Sequence, residues 1–448
     1  MVSWQSTFPD ARLNDPLSDR LSLALRGREA YGGIQQRAWV EVDLAAISHN
    51  VQQIKDLLSP QTGLMAVVKA DAYGHGATFV ARMLSRAGVS GFAVATTPEG
   101  IELREAKIDR PILVLGAAHT PEEVEAIAHW QLQATLCTPQ QALLFSETLS
   151  QSGQCLAVQI NLDTGMSRLG TSWQQAVEFV QLVQRLPNLE IAGIYSHFAT
   201  ADELDQTVMR QQHQRFQQAI AQMQATNYWD WQAQTLSIWN DSSVQSDSSQ
   251  SLKSFSPQQS LNRAKPLRPL LHIANSAATL TDSALHYDLV RAGLAIYGLY
   301  PAPHLRSNVD LKPAMQVKAR VTQIKTLEPG TGISYGYKFT AQVPTKIAVV
   351  GIGYADGVPR NLSNQMQVLV QGQWAQQVGA ITMDQLMIDV SPLPDLQVGE
   401  VVTLLGQDGE FSISAEDWAE QLGTISWEIL CGFKHRLPRI SEIREALT

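Results

Sequence analysis

Short apolar runs recur along the first part of the chain, each followed by a stretch of helical period. A short apolar run is typical of a parallel strand buried on both faces, so the pattern predicts repeated βα units. Eight parallel strands separated by helices close most simply into a (β/α)₈ barrel of the TIM type, whose catalytic groups lie at the carboxyl ends of the strands. The eight runs are MAVVK (65–69), FAVA (92–95), ILVLG (112–116), QATLC (133–137), LAVQINLD (156–163), IAGIYSH (191–197), LHIAN (271–275) and DLVRAG (288–293).

Beyond Pro301 the pattern changes to alternating apolar and polar residues with Gly-rich turns, as in MQVKARVTQIKTL (315–327). Alternation with period two is typical of antiparallel strands with one buried face. The sequence therefore predicts an α/β protein with a barrel over 37–305 and a mostly antiparallel β domain over 306–448. The alternating start of AWVEVDLAAISHN (38–50) is a candidate strand for pairing with that second domain.

Two segments fall outside this pattern. Residues 1–36 lack the apolar core of a secretory signal and carry acidic residues early, which favours a mobile extension. Residues 227–266 are rich in Ser and Gln, which predicts a disordered surface insertion. Its aromatic residues leave docking on a surface open as an alternative to a passive insert, which we favour; they are Tyr228, Trp229, Trp231 and Trp239.

Composition narrows the class of partner. The net charge of -9 is spread without runs of like charge, so nucleic acid and anionic membranes are not expected as partners. Three cysteines, Cys137, Cys155 and Cys431, stand far apart without the spacing of a disulfide framework or a zinc site. We therefore expect no metal, and a reducing cytoplasm fits.

One lysine stands out at the end of the first barrel strand. Lys69 lies in AVVKADAYGHG (66–76), between an apolar run and a Gly-rich turn. Partial desolvation disfavours the charged form of an amine, so Lys69 is a candidate for forming a Schiff base. A strand-end lysine that only reaches into solvent is an equally good interpretation of this residue alone.

AVVKADAYGHG resembles the cofactor-lysine motif of alanine racemases, which are fold-type III enzymes that depend on pyridoxal 5'-phosphate. The resemblance spans 37–226 and 267–440, most of the chain. It implies that Lys69 binds the cofactor and serves as one catalytic base. It also places Tyr73 beside the cofactor phosphate.

Further motifs of the family follow other strands. LDTGMSRLG (162–170) contains Arg168, which the resemblance places at the substrate carboxylate, and a guanidinium suits an anion. His197 and Arg291 end the sixth and eighth strands. The resemblance places Arg291 at the pyridine nitrogen and His197 in a hydrogen bond with Arg291. Because arginine keeps its proton, the cofactor becomes a weaker electron sink, which favours proton exchange at Cα over decarboxylation or transamination.

A phosphate site is implied after the seventh and eighth strands, where barrels commonly bind phosphate. By resemblance its residues are Asn275, Ser276, Gly293 and Leu294, and His435 where many members of the family have a phosphate-binding tyrosine. On composition alone, the sequence NSAA after the seventh strand is an ordinary helix start.

The second domain supplies the remaining residues that the resemblance implies. Tyr335 in GISYGYKF (332–339) is the second base, opposite Lys69, and Tyr354 and Met383 line the substrate pocket. A free phenol is a poor base at neutral pH, so this role requires nearby positive charge. In the family this domain comes from the partner subunit of a head-to-tail homodimer, which predicts shared active sites.

The resemblance implies interconversion of L- and D-alanine, which supplies D-alanine for peptidoglycan. Alternatives left open are a racemase of broader specificity, acting on serine or lysine, and a non-catalytic carrier of pyridoxal phosphate. A carrier of this kind lacks the β domain, and a decarboxylase would place an acidic residue where Arg291 stands. One departure concerns Asn161, which stands where some members carry a carbamylated lysine, so another anion such as chloride is expected beside Arg168.

Overall fold

The computed structural model describes residues 36–231 and 268–441. Its N-terminal part is a barrel-shaped sheet of parallel strands. The strands lie side by side around the barrel in the order in which they occur along the chain. The eight barrel strands are β2 (Gly63–Val67), β3 (Gly91–Val94), β4 (Ile112–Val114), β5 (Gln133–Leu136), β6 (Leu156–Asp163), β8 (Leu189–Tyr195), β9 (Leu270–His272) and β10 (Leu289–Ala292), with the short β7 (Thr171–Ser172) beside β6. Each of the eight predicted apolar runs overlaps one of these strands, which confirms the predicted barrel.

The barrel is nearly closed. Strand β10 pairs with β2, and the last two strands meet through backbone hydrogen bonds: Asp288 N–H donates to Leu271 O (3.1 Å) and Arg291 N–H donates to Ala274 O (3.0 Å). Inside the ring, apolar side chains fill the space between the strands; they are Met65, Val67, Ala93, Leu113, Tyr195 and Leu289. The interior is therefore a packed core, and chemistry is confined to its rim.

Helices cover the outside of the barrel. They are α1 (Leu44–Asp56), α2 (Ala77–Arg86), α3 (Thr97–Glu105), α4 (Pro121–His129), α5 (Pro139–Ser152), α6 (Ala176–Gln184), α7 (Thr207–Ala225) and α8 (Ser276–Thr281). Local sequence explains several of their starts, because Thr120 and Thr138 accept backbone N–H donors at the N-caps of α4 and α5. Proline follows each of these threonines at a position where its missing N–H costs nothing.

The C-terminal part is a mostly antiparallel sheet, as the alternating pattern predicted. Its strands are β11 (Met315–Leu327), β12 (Gly332–Ile333), β13 (Phe339–Thr340), β14 (Thr345–Val350), β15 (Gln367–Val370), β16 (Gln373–Gln376), β17 (Leu386–Asp389), β18 (Val401–Asp408), β19 (Phe411–Ile413) and β20 (Arg439–Ile440). The long β11 is central and pairs with β14 and β18. Two helices, α9 (Ala415–Leu422) and α10 (Ser426–Gly432), precede β20.

The N-terminal strand belongs to this second sheet. Strand β1 (Ala38–Val42) pairs antiparallel with β11 and parallel with β20, so the chain leaves the C-terminal sheet before it enters the barrel. The candidate pairing of residues 38–42 is thus confirmed. None of the helices in the described ranges is long and apolar enough to cross a membrane.

The predicted insertion begins too early. Trp229 is only 4% exposed and packs into the main core, and Trp231 packs against that core, so the folded barrel continues to at least Trp231. Their aromatic side chains were the reason to consider docking on a surface, but here they complete the core. The rest of the insertion, the extension before residue 36 and the end of the chain after residue 441 lie outside the described residues.

Candidate active site

Polar side chains gather at the carboxyl ends of the barrel strands. Lys69 follows β2, Arg168 follows β6, His197 follows β8, Ser276 follows β9, and Arg291 lies near the end of β10. Because all eight strands are parallel, these ends meet at one rim. The structure thus brings together the barrel residues that the sequence singled out.

The backbone that carries Lys69 has an unusual shape. Residues 70–73 all lie in the left-handed region, with φ between 53° and 55°, although none of them is glycine. Each residue in this conformation costs about 1–2 kcal/mol relative to right-handed backbone. The segment Lys69–Tyr73 is therefore a strained left-handed turn that its surroundings must hold.

Four contacts hold the left-handed turn. The N–H of Ala70 donates to Glu99 Oε1 (2.7 Å), and the N–H of Ala77 donates to Asp71 Oδ1 (2.7 Å). His75 Nδ1 lies 2.9 Å from the carbonyl oxygen of Ala72, to which it donates. From the C-terminal part of the chain, Arg439 Nε donates to the carbonyl of Gly74 (3.0 Å). The turn is thus fixed from both parts of the molecule.

The Lys69 amine has a pKa lowered from its usual value. Burial is the main cause, followed by the positive charge of Arg168, while Cys431 and Glu99 act in the opposite direction. A lowered pKa increases the fraction of neutral, nucleophilic amine at neutral pH. This favours the Schiff-base interpretation of Lys69, because a lysine that only reaches into solvent is not desolvated.

Arg291 is buried, and no carboxylate among the described residues forms an ion pair with it. Its Nη1 lies 2.7 Å from His272 Nδ1 and its Nη2 lies 3.1 Å from His197 Nδ1, while Nη2 also donates to Ser196 O (2.7 Å). The guanidinium lies 5.1 Å from the centre of the Tyr195 ring, a cation–π distance. The contact between Arg291 and His197 is the one that the resemblance implied.

Both histidines are neutral. Burial and the charge of Arg291 lower the pKa of His197 to about 3 and place the pKa of His272 well below its usual value. Each ring therefore offers an unprotonated nitrogen to Arg291, since a guanidinium has only donors. The result is a fixed cation surrounded by neutral acceptors.

A second group of residues meets where β9 and β10 end. The Ser276 hydroxyl accepts from the backbone N–H of Gly293 (2.9 Å), and the Tyr73 hydroxyl lies so close that a β-carbon at position 293 would come within 2.6 Å of it. Burial raises the pKa of Tyr73, so its phenol stays a donor. Leu294 follows in the same loop, and Asn275 caps α8 with its carbonyl oxygen on the N–H of Ala278 (3.0 Å).

Three predicted residues form a separate cluster in the β domain. The N–H of Tyr354 donates to Thr382 O (3.0 Å), next to Met383, and Ser334 beside Tyr335 donates to the nearby Ala380 carbonyl. Tyr335 is 71% exposed, Met383 52% and Tyr354 42%. The single chain therefore presents these side chains to solvent.

The C-terminal segment links this cluster to the left-handed turn. Arg436 bonds Asp384 (2.6 Å) beside Met383, while Arg439 bonds Gly74. His435 lies in this segment and is exposed. Its contact with phosphate stays a prediction.

Asn161, the departure from the family pattern, is buried at the end of β6. Its side chain hydrogen-bonds the thiol of Cys137, whose pKa is raised by burial. The amide is thus engaged within the barrel, and the anion expected beside Arg168 stays a prediction.

Sequence reasoning missed three residues of the site. Glu99 holds both Ala70 and the start of α3, and the T-x-x-E spacing of Thr96 and Glu99 is a capping-box signature that pointed to it. Cys431 lies near enough to influence the charge of Lys69, and no local signal marks it. His272 lies in the otherwise apolar strand β9, and its position as the one polar residue of that strand is the signal that could have identified it.

Comparison with known proteins decides between the open alternatives. The family domain described as "Alanine racemase, N-terminal domain" matches residues 42–238 and 239–301, and "Alanine racemase, C-terminal domain" matches residues 314–441. The chain belongs to the alanine racemase family.

Individual relatives agree with this assignment. The alanine racemase of a Nostoc species is 59% identical over 414 residues, covering 92% of this chain and 97% of that protein. The alanine racemase of a Synechocystis species is 56% identical over 407 residues, covering 91% and 99%. The solved alanine racemase of Clostridium difficile 630 has a TM-score of 0.78 at 32% identity, with 91% of this chain and 96% of that chain covered. The solved alanine racemase of Bacillus anthracis with bound L-Ala-P has a TM-score of 0.77 at 34% identity, with 91% of this chain and 95% of that chain covered.

Alanine racemases depend on pyridoxal 5'-phosphate, and the residues present fit that group. An amine with a lowered pKa suits its aldehyde, and the hydroxyls of Tyr73 and Ser276 suit its phosphate. The bare α-carbon of Gly293 lets the Tyr73 hydroxyl approach the backbone at this rim. Arg291 lies at the same rim, and its guanidinium, which has only donors, suits the ring nitrogen.

Proposed function

We propose that this protein interconverts L- and D-alanine with pyridoxal 5'-phosphate as cofactor and with Lys69 and Tyr335 as its two bases. One observation carries the proposal most directly. A desolvated lysine lies at the barrel rim beside a buried arginine whose partners are two neutral histidines. Membership of the alanine racemase family fits this arrangement.

Lys69 and Tyr335 divide the chemistry between them. Lys69 would hold the cofactor, which when bound supplies a sink for the electrons of the Cα–H bond. The Lys69 Nζ takes or returns a proton on one face of the substrate Cα, and the Tyr335 hydroxyl does so on the other face. Removal on one face and return on the opposite face inverts the centre.

Arg291 favours this outcome by keeping its protons. A guanidinium in contact with neutral acceptors donates hydrogen bonds without giving up a proton, so it does not protonate the ring nitrogen. The exposed Arg168 guanidinium at the same rim is suited to the substrate carboxylate, because its planar donors match an anion. Arg168 would thus orient the substrate and Arg291 the cofactor ring, and neither enters the proton transfer.

The second base comes from a partner subunit in this proposal. Tyr335 is mostly exposed, whereas a general base works best where water is excluded. Docking of a second copy against the barrel rim would bury the cluster of Tyr335, Tyr354 and Met383. We therefore propose a homodimer with two shared sites.

Alanine is the proposed substrate because the second cluster narrows the pocket. Tyr354 and Met383 stand on two loops joined by backbone hydrogen bonds, Tyr354 N–H to Thr382 O and Ala355 N–H to Met383 O, and both side chains are exposed. A longer substrate side chain, such as that of lysine, would have to displace them. We further propose that the D-alanine is made in the cytoplasm and supplies peptidoglycan. Three free cysteines fit this reducing compartment, where thiols stay reduced.

Chiral chromatography tests the proposal. L-alanine, L-serine and L-lysine are each incubated with the purified protein and pyridoxal 5'-phosphate, beside a Lys69→Ala control. We expect D-alanine to form quickly, much less of the other D-enantiomers, and no product in the control. Faster conversion of serine or lysine would support the broader racemase, and no D-enantiomer despite bound cofactor would support the carrier.

A further inference from the structure

Four polar side chains form a continuous row through the barrel interior beneath the site. Arg291 Nη1 lies 2.7 Å from His272 Nδ1, His272 Nε2 lies 2.7 Å from Gln159 Oε1, and Gln159 Nε2 donates to Gln133 Oε1 (2.6 Å). The first three are buried, on strands β10, β9 and β6. Burial makes each of these contacts costly to lose, since a donor left without an acceptor keeps its desolvation penalty.

Arg291 determines which group donates and which accepts in each hydrogen bond of the row. A guanidinium has only donors, so His272 Nδ1 must accept from it and the ring proton must lie on Nε2. That N–H in turn donates to Gln159 Oε1. The amide orientation follows, because its NH₂ group then faces the Gln133 oxygen.

Close packing holds the Gln159 amide and the His272 ring in place. A β-carbon at Gly193, on the neighbouring strand β8, would come within 2.9 Å of both Cδ and Oε1 of Gln159. The ring of Tyr195 stacks on His272 with centroids 5.0 Å apart and planes at 9°. A residue larger than glycine at 193 would therefore displace the amide that the histidine requires.

The neutrality of the glutamine matters as much as its position. A carboxylate in its place would accept the Nε2 proton more strongly and favour a second proton on His272. The ring would then present an N–H to the Arg291 guanidinium, with two donors facing each other. An amide accepts the hydrogen bond without adding charge, so the ring keeps one proton.

We infer that Gln159 is a positioning residue: it accepts the Nε2 proton of the His272 tautomer that Arg291 requires, and thereby holds the ring and the Arg291 guanidinium in their orientation at the rim. The inference rests on the proposed function for its effect on racemisation, but the hydrogen-bond row itself can be tested separately. Gln133 supports Gln159 from the far end of the row. None of these residues touches the reacting atoms.

The test compares holoenzymes with Gln159→Met, Gln159→Glu and Gln133→Met against Gln141→Met. Gln141 is a matched control, because it is a buried glutamine with three hydrogen bonds on α5 of the same barrel, and it lies outside the row. Solid-state ¹⁵N NMR of histidine-labelled protein reports the ring protonation, with a His272→Gln spectrum to assign the signals. Thermal unfolding and the kcat and KM for L-alanine are measured on each variant.

We expect His272 to carry its proton on Nε2 alone in the unmodified protein, to show a shifted Nε2 signal in Gln159→Met because that proton loses its acceptor, and to gain a second proton in Gln159→Glu. The kcat should fall about tenfold or more in both variants, with a smaller change in KM, as is usual when a partner of a site residue is lost. Gln133→Met should show a weaker version of the same change, and Gln141→Met should lose stability while its kcat stays within about twofold.

A His272 Nε2 signal that is unchanged in Gln159→Met, or a kcat no lower than in Gln141→Met, would overturn the inference. If Gln159→Met does not fold, Gln159→Glu and Gln133→Met give the same comparison. A lack of D-alanine from the unmodified protein would instead contradict the proposed function, and the ring signals would still show whether the row exists.

Discussion

The hydroxyl of Tyr73 lies directly beside the α-carbon of Gly293, so close that a β-carbon there would come within 2.6 Å of the oxygen. The two residues come from loops after the first and eighth barrel strands. Their contact forms one wall of the recess proposed for the cofactor phosphate. Glycine is needed at 293 for this approach, because any larger residue would bring a β-carbon against the Tyr73 oxygen.

Gly293→Ala should weaken the affinity for pyridoxal 5'-phosphate by about tenfold or more, since the new methyl group displaces the Tyr73 hydroxyl. Equilibrium titration monitored by cofactor absorbance measures this change. Gly153→Ala is the control: Gly153 has a φ of 66° and open space around it, so alanine should cost about 1 kcal/mol of stability with cofactor affinity unchanged. Equal affinities in the two variants would contradict the proposed recess.

His75 should make the protein less stable in acid. Burial lowers the pKa of His75 to about 4, below the usual value of 6.5, so the unfolded chain binds a proton first as the pH falls. The contribution of His75 to the free energy of unfolding is constant above about pH 6.5, and it decreases as the pH falls from there toward 4. This one ring should account for roughly 2 kcal/mol of the loss between pH 7 and pH 5.

His75→Gln tests that contribution, because an amide can still donate to the Ala72 carbonyl but does not titrate in this range. Urea unfolding at several pH values should show a smaller acid loss in the variant, with part of the loss remaining from His197 and His272. An identical pH dependence in both proteins would show that His75 is not held neutral in the folded state.

Arg168 should contribute to substrate binding through its shape as well as its charge. Arg168→Lys keeps the charge but loses the planar pair of donors, so we expect kcat/KM for L-alanine to fall about tenfold to a hundredfold. The kcat/KM for L-alanine should be lower still in Arg168→Met, which loses both the charge and the donors. Initial-rate kinetics in both directions measure the effect, and a lysine variant as active as the unmodified protein would argue against a contact with the carboxylate.

Much of the fold was predictable from the sequence because the barrel imposes a repeated local pattern. Each apolar run became a strand, and residues at the ends of parallel strands, such as Lys69 and His197, necessarily meet at one rim. The alternating residues 38–42 were recognisable as a strand. Their pairing with β11 depended on a contact across more than two hundred residues of chain.

Other features had no local signal. The left-handed turn after Lys69 contains no glycine at its four left-handed positions, and contacts from Glu99 and Arg439, distant in sequence, hold it there. The role of His272 depends on Arg291 and Gln159 from two other strands. Such features are set by tertiary contacts, which a single sequence shows only after the strands are assembled.

Removal of residues 240–264 should leave racemisation unchanged. These residues lie outside the described ranges, and their Ser- and Gln-rich composition predicts no part in the barrel core. The deletion should preserve Trp231, which packs against the core. Activity and thermal unfolding should match the full chain within error, and a large loss of kcat would show that the insertion takes part in the site or in assembly.

Subunit mixing tests the central claim most directly. Lys69→Ala and Tyr335→Phe chains, each inactive as homodimers, are mixed in equal amounts under conditions that allow exchange. If each site takes Lys69 from one subunit and Tyr335 from the other, half of the dimers carry one intact site, and about a quarter of the normal activity should return. Activity no higher than that of the separate variants, with exchange verified by mass spectrometry of the mixed dimer, would contradict a shared two-base site.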